Sequence, residues 1–191
     1  EINEALKSDN PIEIVPVTDE IGHGTFMAGL AAGNVEEEEG FSGIAPNAEI
    51  LVVKLRQADA CLKKFWYVDE QTPAYTEEDL VAATDFMIAY GIQREQSMIL
   101  YFGISSNQGN HNGRGDFAEY LNLISLQQGR GVVLPAGNEG NAAHHFKSRS
   151  FEGIVYQDVE LRILDVKEGL YIEFWADAPD LYGIGFVSPT G

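Results

Sequence analysis

A chain of 191 residues is one ordinary domain, or one domain and a piece of another, and is long enough to bury a core. Its twelve basic residues against thirty acidic ones, a formal net charge of -18, exclude nucleic acid and anionic membrane as partners, because no basic footprint is available to neutralise phosphate. A single cysteine, Cys61, excludes an internal disulfide framework, no stretch approaches the length of a membrane span, and no signal-peptide pattern opens the chain.

Residues 1–10 are polar, and Ile12, Ile14, Val15 and Val17 then predict a short strand that Pro11 and Pro16 confine to a sheet edge. The run Gly22 to Gly33 is apolar and small-sided on every face, which predicts a helix buried in a core. His23 stands at its head between Gly22 and Gly24, which permit a sharp turn of the chain there. The positive end of a helix favours the neutral imidazole, and a neutral imidazole can accept a proton as a general base. Taken alone, such a histidine is more often a core residue satisfied by a backbone carbonyl. The acidic run Glu36 to Glu39 lacks the interleaved carbonyl ligands and turns that calcium requires, and reads as a solvated loop.

Glu49 to Leu55 is a near-continuous apolar run, the pattern of a strand covered on both faces in a parallel sheet. Residues 56–75 read as irregular, with Phe65, Trp66, Tyr67 and Tyr75 covering the sheet or lining a cleft. Thr76 with Glu77, Glu78 and Asp79 predicts a helix start, and Leu80, Ala83, Met87 and Tyr90 keep helical spacing until Gly91. Met98 to Phe102 is the next strand. Asn107 to Gly115, carrying His111, is a loop at the C-terminal end of that strand, where open α/β sheets place ligand crevices. Asp116 and Glu119 predict the cap of a helix whose stripe of Phe117, Tyr120, Leu121 and Ile124 faces a core and ends at Gly129. Gly131 to Leu134 is a third strand, running into a glycine-bracketed turn that lifts Asn138 from the sheet edge. In isolation that asparagine is equally an ordinary turn residue. His144 and His145 are adjacent and no Cys, Asp or Glu spacing joins them, so they predict no metal site. Near Gly153 the pattern changes to period two: Val155, Val159, Leu161 and Ile163, then Leu170, Ile172, Phe174 and Ala176, then Tyr182, Ile184 and Phe186 predict antiparallel strands around a turn at Asp165 to Gly169.

Four stretches in order carry a family resemblance over about residues 12–147. His23-Gly24-Thr25 with Met27-Ala28-Gly29 resembles the histidine motif of the subtilisin-like serine proteases. Gly43-Ile44-Ala45-Pro46-Asn47-Ala48 resembles that family's turn into a buried strand. Gly103-Ile104-Ser105 occupies the place of its substrate-edge segment, and Pro135-Ala136-Gly137-Asn138-Glu139-Gly140 resembles the segment bearing its oxyanion asparagine. The chain is similar in particular to the Csp-type spore-germination branch, through Gly109 to Gly113 and the His144-His145 pair. The sequence departs from the family at Gly103-Ile104-Ser105, where Ser-Leu-Gly is usual, and at Tyr101, normally a small polar position. Asp19 stands where the family often has an acidic residue near the histidine; it reads as readily as a solvated turn residue and receives no catalytic role.

The resemblance implies an α/β fold: a partial parallel three-layer sheet, subtilisin-like, in residues 1–150, with 151–191 the opening strands of an inserted antiparallel, jelly-roll-like β domain. It implies a serine endopeptidase with His23 as base, Asn138 as oxyanion donor and Gly103, Ile104 and Ser105 along the substrate, acting on a protein or peptide without metal or cofactor. An extracellular, cell-envelope or spore-associated location goes with it. The family order is Asp, His, Ser, yet Asp9 follows no apolar strand and no serine sits in a Gly-Thr-Ser-x-Ala setting; Ser42 is not a nucleophile elbow either. The chain therefore reads as a fragment, inactive alone, whose apolar surface is expected to pair with another copy or with the remainder of the polypeptide. The alternative is a non-catalytic relative kept as a binding or signalling module.

Overall fold

Pro11 decides the first departure from the sequence pattern. In the computed structural model, which describes residues 1–148, 156–164 and 169–190, the stretch expected as an edge strand is instead a single helical turn, α2 (Pro11–Ile14), after a similar turn α1 (Ile2–Ala5). Proline at a first helical position lacks only an N–H that would be unpaired there, and its fixed φ suits the helix. The chain divides into two units, Glu1–Val53 and Lys54–Gly191, each taken by itself below.

The first unit is built on α3 (His23–Ala32). It is the expected helix but it is not buried: none of its residues is fully covered, and Phe26 is 62% exposed. A unit of this size has too little chain to cover a helix that is apolar all round. What it does cover is the C-terminal end. The amides of Gly43, Ile44 and Ala45 donate to the carbonyls of Gly33, Leu30 and Ala31 at 3.1, 3.1 and 2.9 Å, so carbonyls that a helix end leaves unpaired are satisfied. The approach is close enough that a Cβ at Gly43 would collide with the backbone of Gly33, Ala32 and Gly29. Two of the motif stretches thus meet through backbone, and Gly43 is the residue that permits it. The acidic run lies in a tight reversal closed by an antiparallel bridge from Glu36 to Phe41.

In the second unit, a helix α4 (Ala60–Phe65) forms where the sequence read as irregular, capped by the Asp59 carboxylate, which accepts from the Leu62 amide at 2.8 Å. Lys63 is buried on this helix and donates to the Glu70 carbonyl at 2.9 Å. Thr76 caps α5 (Glu77–Gln93) as expected, its hydroxyl accepting from Asp79 at 3.2 Å. The helix runs past Gly91, and the glycine serves packing: a Cβ there would lie 2.9 Å from the Met98 methyl.

Strands β1 (Met98–Tyr101) and β2 (Arg130–Val133) pair in parallel, Met98 opposite Arg130 and Tyr101 opposite Val133, with α6 (Asp116–Ser125) as the crossover between them. Gly115, not Asp116, occupies the N-cap of α6, and no side chain caps it. Leu100, Leu121 and Ile124 are the buried centre, with Met87, Ile88, Phe102, Phe117 and Val132 packed round them. A hydrogen bond of 2.5 Å from the Tyr120 hydroxyl to Asp85 joins α6 to α5, and burial, with Asp85 adding to it, pushes the Tyr120 pKa up to about 12.

The structure departs from the expected pattern at three places. The run Glu49 to Leu55 forms no ladder among the described residues, so the sheet described has two strands where three were expected. Within this unit α5 and α6 lie on one sheet face, Leu100 being 1% exposed and Ile99 69%. Period-two burial is what a sheet with one covered face shows. The period-two segments at 156–164 and 169–190 form no strand among the described residues, while Val155, the turn at 165–168 and the expected boundary at 150/151 lie outside those residues.

Candidate active site

His23 is the first residue of α3, directly after Gly22, which holds φ +77° at the N-cap. That left-handed turn favours glycine, and it leaves the imidazole exposed at the helix start, with no hydrogen bond from its ring among the described residues. The turn is organised by Asp19. Its carboxylate accepts from the Gly22 amide at 2.9 Å, from the Thr25 amide at 3.1 Å and from the Thr25 hydroxyl at 2.6 Å, satisfying free donors of the first turn on either side of His23. Asp19 is thus the residue that positions the helix start. The Asp19–Thr25 spacing is only six residues, yet reading Asp19 as an acidic neighbour of the histidine or a solvated turn residue missed this role.

These bonds, the Thr25 hydroxyl first and the Gly22 and Thr25 amides after it, pull the Asp19 pKa from 3.8 down to about 2. A depressed carboxylate pKa stabilises the fold fully above the unfolded value and loses its contribution as pH falls through the folded one. The Thr25 amide resonance, followed by NMR during acidification, should therefore titrate with a midpoint near 2. A midpoint near 3.8, that of an unpaired aspartate, would show the carboxylate to be free of the turn.

In the second unit the residues of interest gather at the C-terminal ends of β1 and β2. The ladder continues one step beyond the strands, the Phe102 amide donating to the Val133 carbonyl at 3.1 Å, so residues 103–105 leave the sheet beside 134–138. Gly137, at φ +86°, turns the chain, and a Cβ on it would lie 3.3 Å from Ser105 Oγ. Gly103 and Ile104 are half-buried and Ser105 is exposed. Asn138 follows on the solvent side, its carboxamide without a hydrogen bond among the described residues. The structure thus brings Ser105 against the Asn138 turn within one unit, and His23 belongs to the other.

A polar network that the sequence did not reveal surrounds this turn. The Glu139 carboxylate accepts from Asn107 Nδ2 and, at 2.9 Å, from His144 Nδ1, and these two bonds hold its pKa below the usual carboxylate range, Asn107 contributing most. His111 Nε2 donates to the Asn107 carbonyl at 2.9 Å, and the His111 and His145 rings stack with centroids 4.5 Å apart. No group of three or more His, Cys, Asp or Glu among the described residues is arranged to hold a metal ion. No described helix is long and apolar enough to cross a membrane.

The model of the subtilase family matches residues 3–157. Among solved structures, the CspB protease of Clostridium perfringens superposes with a TM-score of 0.63 at 32% identity, over 75% of this chain and 29% of that one. Residues 1–191 thus span well under half the length of that relative. No curated protein matches. The matched range contains the His23 turn, the β1 and β2 ends and the Asn138 turn, and on that extent the chain belongs to the subtilase family.

Proposed function

We propose that this chain is part of a subtilisin-like serine endopeptidase that hydrolyses peptide bonds by an Asp-His-Ser mechanism, the aspartate and serine motifs lying outside these residues. His23 takes the proton of the serine hydroxyl as it attacks the scissile carbonyl and returns it to the leaving amine. The Asn138 side chain donates to the oxyanion of the tetrahedral intermediate. Gly103, Ile104 and Ser105 run along the extended substrate, a protein or peptide, and no metal or cofactor takes part. The 191 residues alone hold a base and an oxyanion donor without a nucleophile, and so are inactive.

The observation that carries this reading is that each of the two side chains is exposed at a glycine turn, within reach of a substrate. His23 opens a helix at a glycine turn, and Asn138 leaves a parallel strand at another. Likeness to a protein named as a protease supports it, as does the resemblance to the Csp-type branch, from which a role in spore germination and a spore or envelope location are carried over. From the same resemblance, residues 151–191 are taken as the start of an inserted β domain. Exposed apolar side chains such as Phe26 and Ile99 support pairing with the rest of the polypeptide or with a second copy.

One observation favours a second reading, a non-catalytic relative acting as a binding or signalling module: the altered Gly103-Ile104-Ser105 edge. Hydrolysis of an unfolded protein substrate by the complete polypeptide separates the two. Turnover abolished by a serine-directed inhibitor is expected; binding of the substrate without any cleavage would establish the module instead.

A further inference from the structure

The loop after β1 is held between two carboxylates that come from distant parts of the second unit. Asn107 Nδ2 donates to Glu139, the neighbour of Asn138. Two residues on, the Gly109 amide donates to Glu173 Oε2 at 2.6 Å, across 64 positions of sequence. The same oxygen takes the Trp175 indole N–H at 2.8 Å, and Tyr171 also hydrogen-bonds this carboxylate. The Tyr171 ring in turn packs edge-on against Trp66, with centroids 4.7 Å apart. Glu173 is therefore anchored on one side by aromatic packing and engages the loop on the other.

Such a contact is strong enough to matter. Hydrogen bonds to an ionised carboxylate are shorter than neutral ones and roughly twice as strong. Anchoring matters in this loop because Gly109 sits at φ +97° and Gly113 at +76°, and glycine-rich chain loses the most conformational freedom when fixed. Local bonds add to these two anchors: the Gln108 and Asn112 amides donate to the Ser106 and Asn110 side chains, His111 bonds the Asn107 carbonyl, and its ring stacks on His145. Residues 103–105 run directly into it, and Ser105 abuts Gly137.

We propose that Glu173 is a positioning residue for the peptidase site: by holding Gly109 it fixes the loop 105–111, and through Asn107 and Glu139 it fixes the turn that presents Asn138. This gives the segment beyond residue 169 a part in substrate alignment, and it rests on the roles proposed for Asn138 and for residues 103–105.

The test uses NMR on the 191-residue protein and steady-state kinetics on the complete polypeptide, each with Glu173→Ala, Glu173→Gln and Trp175→Phe. In Glu173→Ala the Gly109 amide proton should move upfield and exchange about tenfold faster or more, the scale of one lost charged hydrogen bond. The Asn107 side-chain and Asn138 resonances should shift with it. Glu173→Gln keeps an acceptor oxygen at the same reach and should restore most of the pattern, while Trp175→Phe should leave Gly109 protected. In the complete polypeptide, Glu173→Ala should raise KM through the loosened substrate edge and lower kcat through the loosened Asn138 turn, each several-fold, with Gln recovering both. Should the alanine variant fail to fold, Glu173→Asp withdraws the acceptor while keeping the charge and should give the same Gly109 signature. Unchanged Gly109 and Asn138 resonances, or unchanged kinetics in an active polypeptide, would overturn the proposal. Altered resonances in a polypeptide that cleaves nothing would leave the loop clamp standing and sink the peptidase reading instead.

Discussion

Replacing His23 with alanine in the complete polypeptide should lower kcat by about four to six orders of magnitude, the scale known when a subtilisin loses its base, with little change in thermal stability. The expectation has two independent parts. Loss of activity follows from chemistry, because a serine hydroxyl is a weak nucleophile until a neighbouring base takes its proton. Retained stability follows from structure, because the ring is exposed and bonds to nothing among the described residues, while the helix start is held by Asp19. Peptide hydrolysis and a melting curve on the same preparation read both. Unchanged turnover would exclude His23 as the base, and a collapsed melting temperature would make it a structural histidine.

Asn138→Ala should lower kcat by about two to three orders of magnitude, a range quoted from a subtilisin asparagine rather than inferred from this geometry. KM should barely move, because the carboxamide meets a charge that exists only in the transition state. The exposed side chain carries no bond whose loss would unfold the turn, so stability should again hold. Were Asn138 an ordinary turn residue, alanine would instead cost stability and leave kcat alone.

The helices of 10 residues or more were the most legible part of the chain. The Thr76 cap with its acidic first turn marked α5, and the stripe of Phe117, Tyr120, Leu121 and Ile124 marked α6, because capping and a 3.6-residue period are local signals. The strands Met98–Tyr101 and Arg130–Val133 were read from apolar runs, and their parallel pairing follows from the helix between them. The run Glu49 to Leu55 has the same composition and forms no ladder among the described residues, since an apolar run specifies burial and pairing depends on a partner supplied elsewhere. Ile12 to Val17 misled for a local reason: Pro11 starts a helix as well as it interrupts a strand.

Of the candidate site, the residues proposed for the chemistry were visible, and most of the contacts that hold them were not. His23 and Asn138 sit in motifs whose glycines signal tight turns, Gly22 and Gly137, and both glycines do hold positive φ. Asp19, Glu139 and Glu173 act through contacts to Thr25, Asn107 and Gly109. Only the first of these spacings is short enough for a sequence pattern to reveal it. The other two join segments 32 and 64 residues apart, which no local period records.

The most direct test of the account is labelling with a fluorophosphonate, which reacts only with a serine activated by a base and an oxyanion hole. Treated side by side, the complete polypeptide should be labelled at one serine outside residues 1–191, His23→Ala should suppress the labelling, and the 191-residue chain alone should remain unlabelled. Labelling of the short chain, or a complete polypeptide that stays unlabelled with His23 and Asn138 intact, would contradict it.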